Sequence, residues 1–519
     1  MVTAPHHAAA QAGLAVLREG GNALEAMIAA AATIAVVYPH MNGLGGDNFW
    51  LVHAPGAAPL AIASCGAAAR EASVERYRAA GLDAIPSRGP MAALTVAGAV
   101  AGWDEALRVA AAWGGCLPRA RLLEDAVRHA REGIAVSVSQ ADNTRAKLAE
   151  LREVPGFAAH WLIDDAPPAA GARFRQPRLA DTLEHLGRAG FDDFYRGELA
   201  VALADDLARA GSPLRAADLA AHRARRVTPL SVKFDGHTLC NHPPPTQGLA
   251  SLLLLALYAR RRAADCTGFD YLHRLVEATK QAFLVRDAEV TDPGRLRGDV
   301  ACFLEDGMLE RLAARIDTSR ALPWPAPPTH GDTVWLGAAD GDGRMVSFIQ
   351  SVYWEFGSGV TLPASGITWQ NRGTSFSLDP RALNALAPGR LPFHTIQPAL
   401  AELADGRVLV YGTMGGEGQP QTQAAIFSRH VMHGMELQAA VDAPRWLLGR
   451  TWGARSTTLK LEDDFPVALG EALAAAGHAL EWVPAANAMM GHAGAISRAP
   501  DGLLEGASDR RSDGAVAAW

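Results

Sequence analysis

Two short stretches of this chain place hydroxyl groups and paired glycines at hairpin spacing, which is the equipment of acyl transfer. In the first, residues 334–339 alternate towards an Asp340-Gly341-Asp342-Gly343 turn and residues 344–350 return, the pattern of a β-hairpin. A ladder centred near Asp342 sets Thr333 opposite Ser351, so two hydroxyls meet at its open end. In the second, residues 399–403 turn at Asp405-Gly406 and return through 407–411, and the same pairing brings His394 and Thr395 opposite Gly416 and Gly415. A Gly-Gly step at a strand end can turn its N–H groups towards a ligand with no Cβ in the way, as an oxyanion hole requires. Each feature alone has an ordinary explanation, a strand threonine or a tight turn.

These hairpins need a body to hold them. Residues 7–18 have helical patterning that stops at Gly20-Gly21 and restarts with Asn22 as a cap, and an Ala-rich helix then runs to Val37. Gly43-Leu44-Gly45-Gly46-Asp47 is a tight turn feeding a strand over 48–53. That order, helix then glycine turn then strand, is the reverse of a dinucleotide-binding loop, which follows a strand and opens a helix. Residues 100–230 are rich in Ala, Arg and Leu with helical periodicity; a strand is expected over 230–239, then a rigid loop, Pro243-Pro244-Pro245-Thr246-Gln247-Gly248, and helices near 250–262 and 271–290. The Pro-rich stretch 321–328 suits neither a helix nor a strand interior and reads as an exposed linker. Helices before it and strands after it suggest one layered α/β body, not two unrelated domains.

Composition excludes several function classes. With 519 residues, 49% hydrophobic and 20% charged, the chain can build a large core and lacks the polar bias of disorder. A net charge of -7 gives no basic footprint, so neither nucleic acid nor an anionic membrane is expected as a partner. The most apolar run, 27–38, is too short to span a bilayer, and residues 1–7 carry no basic-then-apolar leader, so a cytoplasmic location is expected. The five cysteines lack CxxC spacing and are expected to be reduced core thiols, with no zinc site.

The order and wording of the motifs add what spacing alone does not. The segment TVWLGAADGDGRMVSFIQSVYWEFGSG, from Thr333 to Gly359, resembles without gaps the nucleophile hairpin of the gamma-glutamyltransferase family. NGLGGDNFW (42–50), TVAGAVAGW (95–103), PPPTQG, EATKQAFLVRDAEVTDP (277–293), GTMGGEGQPQTQ (412–423) and DAPRW (442–446) resemble that family too, so the likeness covers nearly the whole chain. Within it, GDTVW, SFIQSVYWEFGSG, WQNRG, PFHTIQP and MGGEGQPQTQ look most like the branch that hydrolyses oxamate to oxalate and ammonia in allantoin breakdown. The resemblance implies an N-terminal nucleophile hydrolase, an αββα sandwich made as one precursor that cuts itself between Asp332 and Thr333. Residues 1–332 would form the large subunit and 333–519 the small one, associated after cleavage as two large and two small chains. Thr333 would be the nucleophile, and its freed α-amine, with a pKa of about 8, would serve as its base. Ser351 would orient it, and the N–H groups of Gly415 and Gly416 would hold the oxyanion. No metal or other cofactor is implied.

The departures from the family concern the substrate. The family binds the amino-acid end of glutamate through an arginine in the large subunit and an asparagine, an acid and two serines in the small one. Here the arginine's place falls near Cys65, with Arg70 the nearest alternative; the asparagine becomes Tyr353, the acid Ser375, and the serine pair His394-Thr395. Loss of the acid would leave a substrate ammonium desolvated and unpaired, at a cost of roughly several kcal/mol. Arg372, in Gln370-Asn371-Arg372-Gly373, puts a guanidinium where the family has a neutral amide, and a guanidinium fork suits a carboxylate. Tyr353 narrows the pocket. Together with Asn371, these residues are expected to bind a small anionic amide without an α-amino group and to disfavour glutathione.

Overall fold

The computed structural model describes residues 1–324, 332–449 and 456–519; from residue 325 onward the expected Pro-rich linker lies outside the described residues. The helix His7–Arg18 starts after His6, whose Nδ1 accepts from the Ala8 N–H. Ala23–Val37 starts at Asn22, whose Oδ1 accepts from the N–H groups of Leu24 and Glu25, while the Asn22 N–H donates to the Glu25 carboxylate. This reciprocal cap satisfies donors that a buried helix end would otherwise leave orphaned.

Two antiparallel sheets face each other. Among the described residues one runs in the order Ala515–Ala517, Val2–Ala4, Asp332–Ala339, Met345–Tyr353, Asp47–His53, Leu60–Ser64, Arg225–Val227. The other runs Leu504–Ser508, Ala493–Arg498, Val408–Thr413, Ala399–Glu402, His237–Asn241, Leu230–Phe234. Alternation along Met345–Tyr353 shows how the layers arise. Met345 packs between the sheets with Leu51, Leu400 and Val410, and Ile349 does so with Phe49, Trp335 and Ile396. Val346 and Phe348 point the other way, into the core shared with Ala23–Val37. The second sheet buries Leu239, Ala401, Leu409 and Tyr411 against Gly248–Arg260, Gly268–Glu289 and Gln419–Phe427. The order is αββα, in one body. Residues on both sides of position 332 supply strands to each sheet.

Two expectations need correction. Residues 230–239 are not one strand but the hairpin Leu230–Phe234 with His237–Asn241. Asp235 and Gly236, at φ 50° and 78°, make its two-residue turn, a conformation that Asp-Gly adopts readily. The cysteines are all free, but only Cys65 and Cys240 are buried; Cys266 is half-buried, and Cys116 and Cys302 sit exposed in loops and turns. No helix among the described residues is long and apolar enough to cross a membrane.

Trp335 ties the two sheets together next to the hairpin's open end. Its Nε1 donates to Ser347 Oγ at 3.0 Å, and its ring lies over the cross-strand pair Gly412 and Gly494. A Cβ on Gly412 would stand 2.2 Å from Trp335 Cδ1, and one on Gly494 2.6 Å from Cζ3. Gly412→Ala is therefore expected to cost about 1–3 kcal/mol by overpacking and to displace the strand two residues from Thr333. A lowered melting temperature by calorimetry checks the first effect.

Candidate active site

Thr333 lies in Asp332–Ala339 with the same parity as Trp335, so its side chain belongs to the inter-sheet face. The expected register holds from Gln350↔Val334 to Met345↔Ala339, then slips: the next pair is Tyr353↔Asp332. A bulge thus places Ser351 and Val352 opposite Thr333 alone, at the open end where the sequence set the two hydroxyls. Ser351 also faces Asp47 on its other flank, and its Oγ accepts the Tyr353 N–H at 2.8 Å. Tyr353 is held at φ 83°, a strained conformation for a residue with a bulky side chain. Both Thr333 and Ser351 are fully buried.

A network of buried amides orients the threonine. Gln419 Nε2 donates to Thr333 Oγ1 at 3.4 Å, and Gln419 Oε1 accepts the Gln397 N–H at 3.2 Å, which fixes which end of the amide faces the hydroxyl. Gln397 Nε2 donates to Ser251 and to Gln423, and Asn241 Nδ2 donates to Gln397 Oε1.

The glycine pair opens the same helix. Gly415 sits at φ 115° and Gly416 at φ 53°, a short 3-10 turn runs over Gly416–Gly418, and Gln419–Phe427 follows. The peptide planes carrying the two N–H groups are anchored through their carbonyls. Thr413 Oγ1 donates to the Met414 carbonyl at 2.7 Å and the Gly418 N–H to the Gly415 carbonyl at 2.8 Å. Among the described residues neither the Gly415 nor the Gly416 N–H meets a protein acceptor. Two fixed, unspent donors at a helix N-terminus are suited to an anionic oxygen. Gly415→Ala would add a Cβ at a φ that L-residues rarely adopt; with the donor misaligned, kcat is expected to fall on the order of 10²-fold with KM less affected, as steady-state kinetics would read.

His394 and Thr395 do not face these glycines across a ladder, because pairing with Val408–Thr413 ends at Ala399. His394 instead forms a parallel bridge to Thr246. The two segments are joined by Gln247, whose Nε2 donates to the carbonyls of Thr395 at 2.7 Å and Gly416 at 2.8 Å. Arg286 donates to Gln247 Oε1 and to the Glu417 carboxylate, which sets the amide's orientation.

Beside Tyr353 lies a buried cluster of polar side chains. Arg372, at the start of the 3-10 turn Arg372–Ser375, stacks its guanidinium 3.7 Å from the centre of the Tyr353 ring. Its Nη1 donates to Thr395 Oγ1 at 3.1 Å, while Nε and Nη2, the side-on fork, have no hydrogen-bond partner among the described residues. Burial lowers the Arg372 pKa to about 10, opposed by Tyr353 and Asp47, so it stays cationic near neutrality. His394 is also fully buried, with neither ring nitrogen hydrogen-bonded among the described residues; burial, and then Arg372, hold its pKa well below 6.5, so the ring is neutral. Asp47 closes the pocket. Its Oδ1 accepts the N–H groups of Gly98 at 2.9 Å and Gly66 at 3.2 Å, and its Oδ2 stands 3.6 Å from His394 Nε2. Burial raises the Asp47 pKa to about 7 even though Arg372 and these donors pull it down.

The structure therefore gathers Thr333, Ser351, Tyr353, Arg372, His394 and Thr395 around one end of the sandwich. Asn371 and Ser375 lie alongside with their polar atoms engaged on the backbone. Asn371 accepts the Trp354 N–H and donates to the Ser87 carbonyl, and Ser375 donates to the Arg372 carbonyl. Arg70 is exposed and pairs at 3.9 Å with Asp218, so it supplies no charge to the pocket. Cys65, where the family's arginine would fall, is buried, and burial pushes its thiol pKa up. Sequence reasoning missed Asp47, Gln247, Gln397 and Gln419. A usable signal was present: polar Gln419, Gln421 and Gln423 recur in a helix with no exposed face.

Comparison with known proteins agrees over the full length. A family model described as gamma-glutamyltranspeptidase matches residues 9–519. The chain is 55% identical to the oxamate amidohydrolase proenzyme of Klebsiella pneumoniae, over 100% of this chain and 98% of that protein. It is 39% identical to the glutathione hydrolase-like YwrD proenzyme of Bacillus subtilis, over 99% of this chain and 98% of that protein. The crystal structure of cephalosporin acylase from Bacillus halodurans superposes with a TM-score of 0.91 at 35% identity, covering 100% of this chain and 95% of that one.

Proposed function

The chain belongs to the gamma-glutamyltranspeptidase family of hydrolytic enzymes, and on that premise we propose that it cuts itself before Thr333 and then hydrolyses oxamate to oxalate and ammonia. In the precursor the Thr333 hydroxyl attacks the Asp332 carbonyl, the peptide becomes an ester, and water releases residues 1–332 from 333–519. The cut leaves an α-amine on Thr333 beside its own hydroxyl. With a pKa of about 8, the amine is neutral often enough near pH 7 to take the hydroxyl proton.

Oxamate then seats its carboxylate on Nε and Nη2 of Arg372. Thr333 Oγ1 attacks the amide carbonyl, and the N–H groups of Gly415 and Gly416 receive the developing oxyanion. The α-ammonium returns the proton to the leaving nitrogen, ammonia departs, and water hydrolyses the oxalyl ester with the amine again as base. Ser351 and Gln419 keep the threonine rotamer in line.

The observation that carries this reading is the unpaired side-on fork of a fully buried arginine, stacked on the residue paired with Asp332. Leaving such donors unmet costs about 1–3 kcal/mol each, a debt that a substrate carboxylate removes. The likeness to the Klebsiella protein supports oxamate in particular. Purified, matured enzyme should release equimolar ammonia and oxalate from oxamate and far less glutamate from glutathione. Glutamate release without oxamate turnover would instead assign the site to γ-glutamyl amides.

A further inference from the structure

Resting on that reading, we propose that Asp47 is a specificity-determining residue: it takes up one proton from solvent as a substrate carboxylate enters the Arg372 fork, so the pocket favours an anion only while Asp47 is neutral. Charge in a closed space decides which form binds an anion. Asp47, Arg372 and His394 are all fully buried. His394 is neutral, so among the described residues that meet here Arg372 is the cation and Asp47 the acid whose ionisation sets the sign. With Asp47 ionised the pocket is neutral overall, and an incoming carboxylate meets a like charge in a low dielectric. With Asp47 protonated the Arg372 cation is uncompensated, and an anion restores balance.

The groups facing Asp47 leave this role to it. From the 3-10 turn comes Arg372, which favours the ionised form. From the segment before Ala399–Glu402 comes His394, 3.6 Å away and neutral. Cys65, after Leu60–Ser64, and Tyr195, in the helix Asp193–Arg196, are held protonated by burial. Across the ladder stands Ser351, which neighbours Thr333 and, after cleavage, its amine. Burial brings Asp47 to about 7, and an anion beside it raises that value further. By linkage, anion affinity is then full below that pH and falls about tenfold per unit above it.

The test uses mature enzyme and oxalate, the product anion. Calorimetric titration at pH 8 in two buffers of different ionisation enthalpy should give uptake of close to one proton per oxalate. Asp47→Asn, which keeps the Oδ1 acceptor for Gly66 and Gly98, should abolish the uptake and bind oxalate roughly tenfold tighter than wild type at that pH. The KM for oxamate should rise between pH 7 and 9 in wild type alone, while the KM for neutral oxamide stays flat in both. Uptake that persists in the variant assigns the proton to another group, such as the Thr333 amine, and overturns the proposal. If the variant fails to mature, infrared difference spectra of wild type with 13C-labelled oxalate decide. A new protonated-carboxyl band from the protein supports the proposal, and its absence overturns it. No oxalate binding by wild type would sink the carboxylate-binding reading itself, whereas binding without uptake sinks only the role of Asp47.

Discussion

Thr333→Ala protein is expected to remain a single uncut chain and to lose amide hydrolysis by on the order of 10⁴-fold or more. Both losses follow from one atom. In the proposed mechanism Oγ1 is the attacking group in the self-cutting step and again in turnover, and without the first step the base needed for the second is never freed. The amides around it cannot substitute: Gln419, the residue that donates to Oγ1, has no nucleophilic atom of its own. Thr333→Ser keeps the hydroxyl and should mature, more slowly, because the missing methyl releases the rotamer that packing fixes. Denaturing electrophoresis over a time course, with an ammonia assay on the same samples, reads both outcomes.

The second large effect is expected at Arg372. Arg372→Gln should lower kcat/KM for oxamate by on the order of 10²- to 10³-fold, the scale for losing a desolvated, bidentate charge partner. The neutral amide oxamide should lose much less, because the fork matters only where a carboxylate is present. Stability should respond in the opposite sense. The guanidinium is buried with two nitrogens unmet, so removing it should leave the melting temperature unchanged or raise it. A residue kept for structure would show the reverse pattern. Burial lowers its pKa only to about 10, so the Arg372 contribution should be independent of pH between 6 and about 9; any change in oxamate KM across that window must come from another group.

What the sequence revealed, and what it concealed, follows from the range of the interactions involved. The helix His7–Arg18, the Asn22 cap and the register of the Thr333 hairpin are local: period, capping chemistry and a D-G turn determine them within a few residues. The hairpin at 230–241 is just as local but was hidden, because its Asp-Gly turn interrupts a run of strand-forming residues only briefly. The extrapolation to His394 and Gly416 failed for a different reason. Hairpin arithmetic assumes that the ladder continues, and here the Gln247 N–H donates to the His394 carbonyl and the His394 N–H to the Pro245 carbonyl, which takes the chain out of the sheet. Arg372 could be singled out because a charge replaced a neutral side chain in a motif. Asp47 could not, since a carboxylate after a glycine turn looks like any loop acid until Arg372 and His394 arrive from more than 300 residues away.

The same contrast applies to the site's polar support. Gln419 meets Thr333, and Gln397 meets Gln419, only because two sheets stack and one helix starts beside a glycine pair; the recurring glutamines mark the helix but not that task. Their glutamine side chains are costly to bury unless every donor and acceptor is used, and that saturation is a three-dimensional property.

The most direct measurement is intact-mass analysis with N-terminal sequencing of the freshly purified wild-type protein, followed by an oxamate assay on the same preparation. Two associated chains are expected, the smaller beginning Thr-Val-Trp at residue 333, with activity that appears in step with that fragment. An active enzyme that is one unbroken chain, or a smaller chain that starts at any other residue, would contradict it.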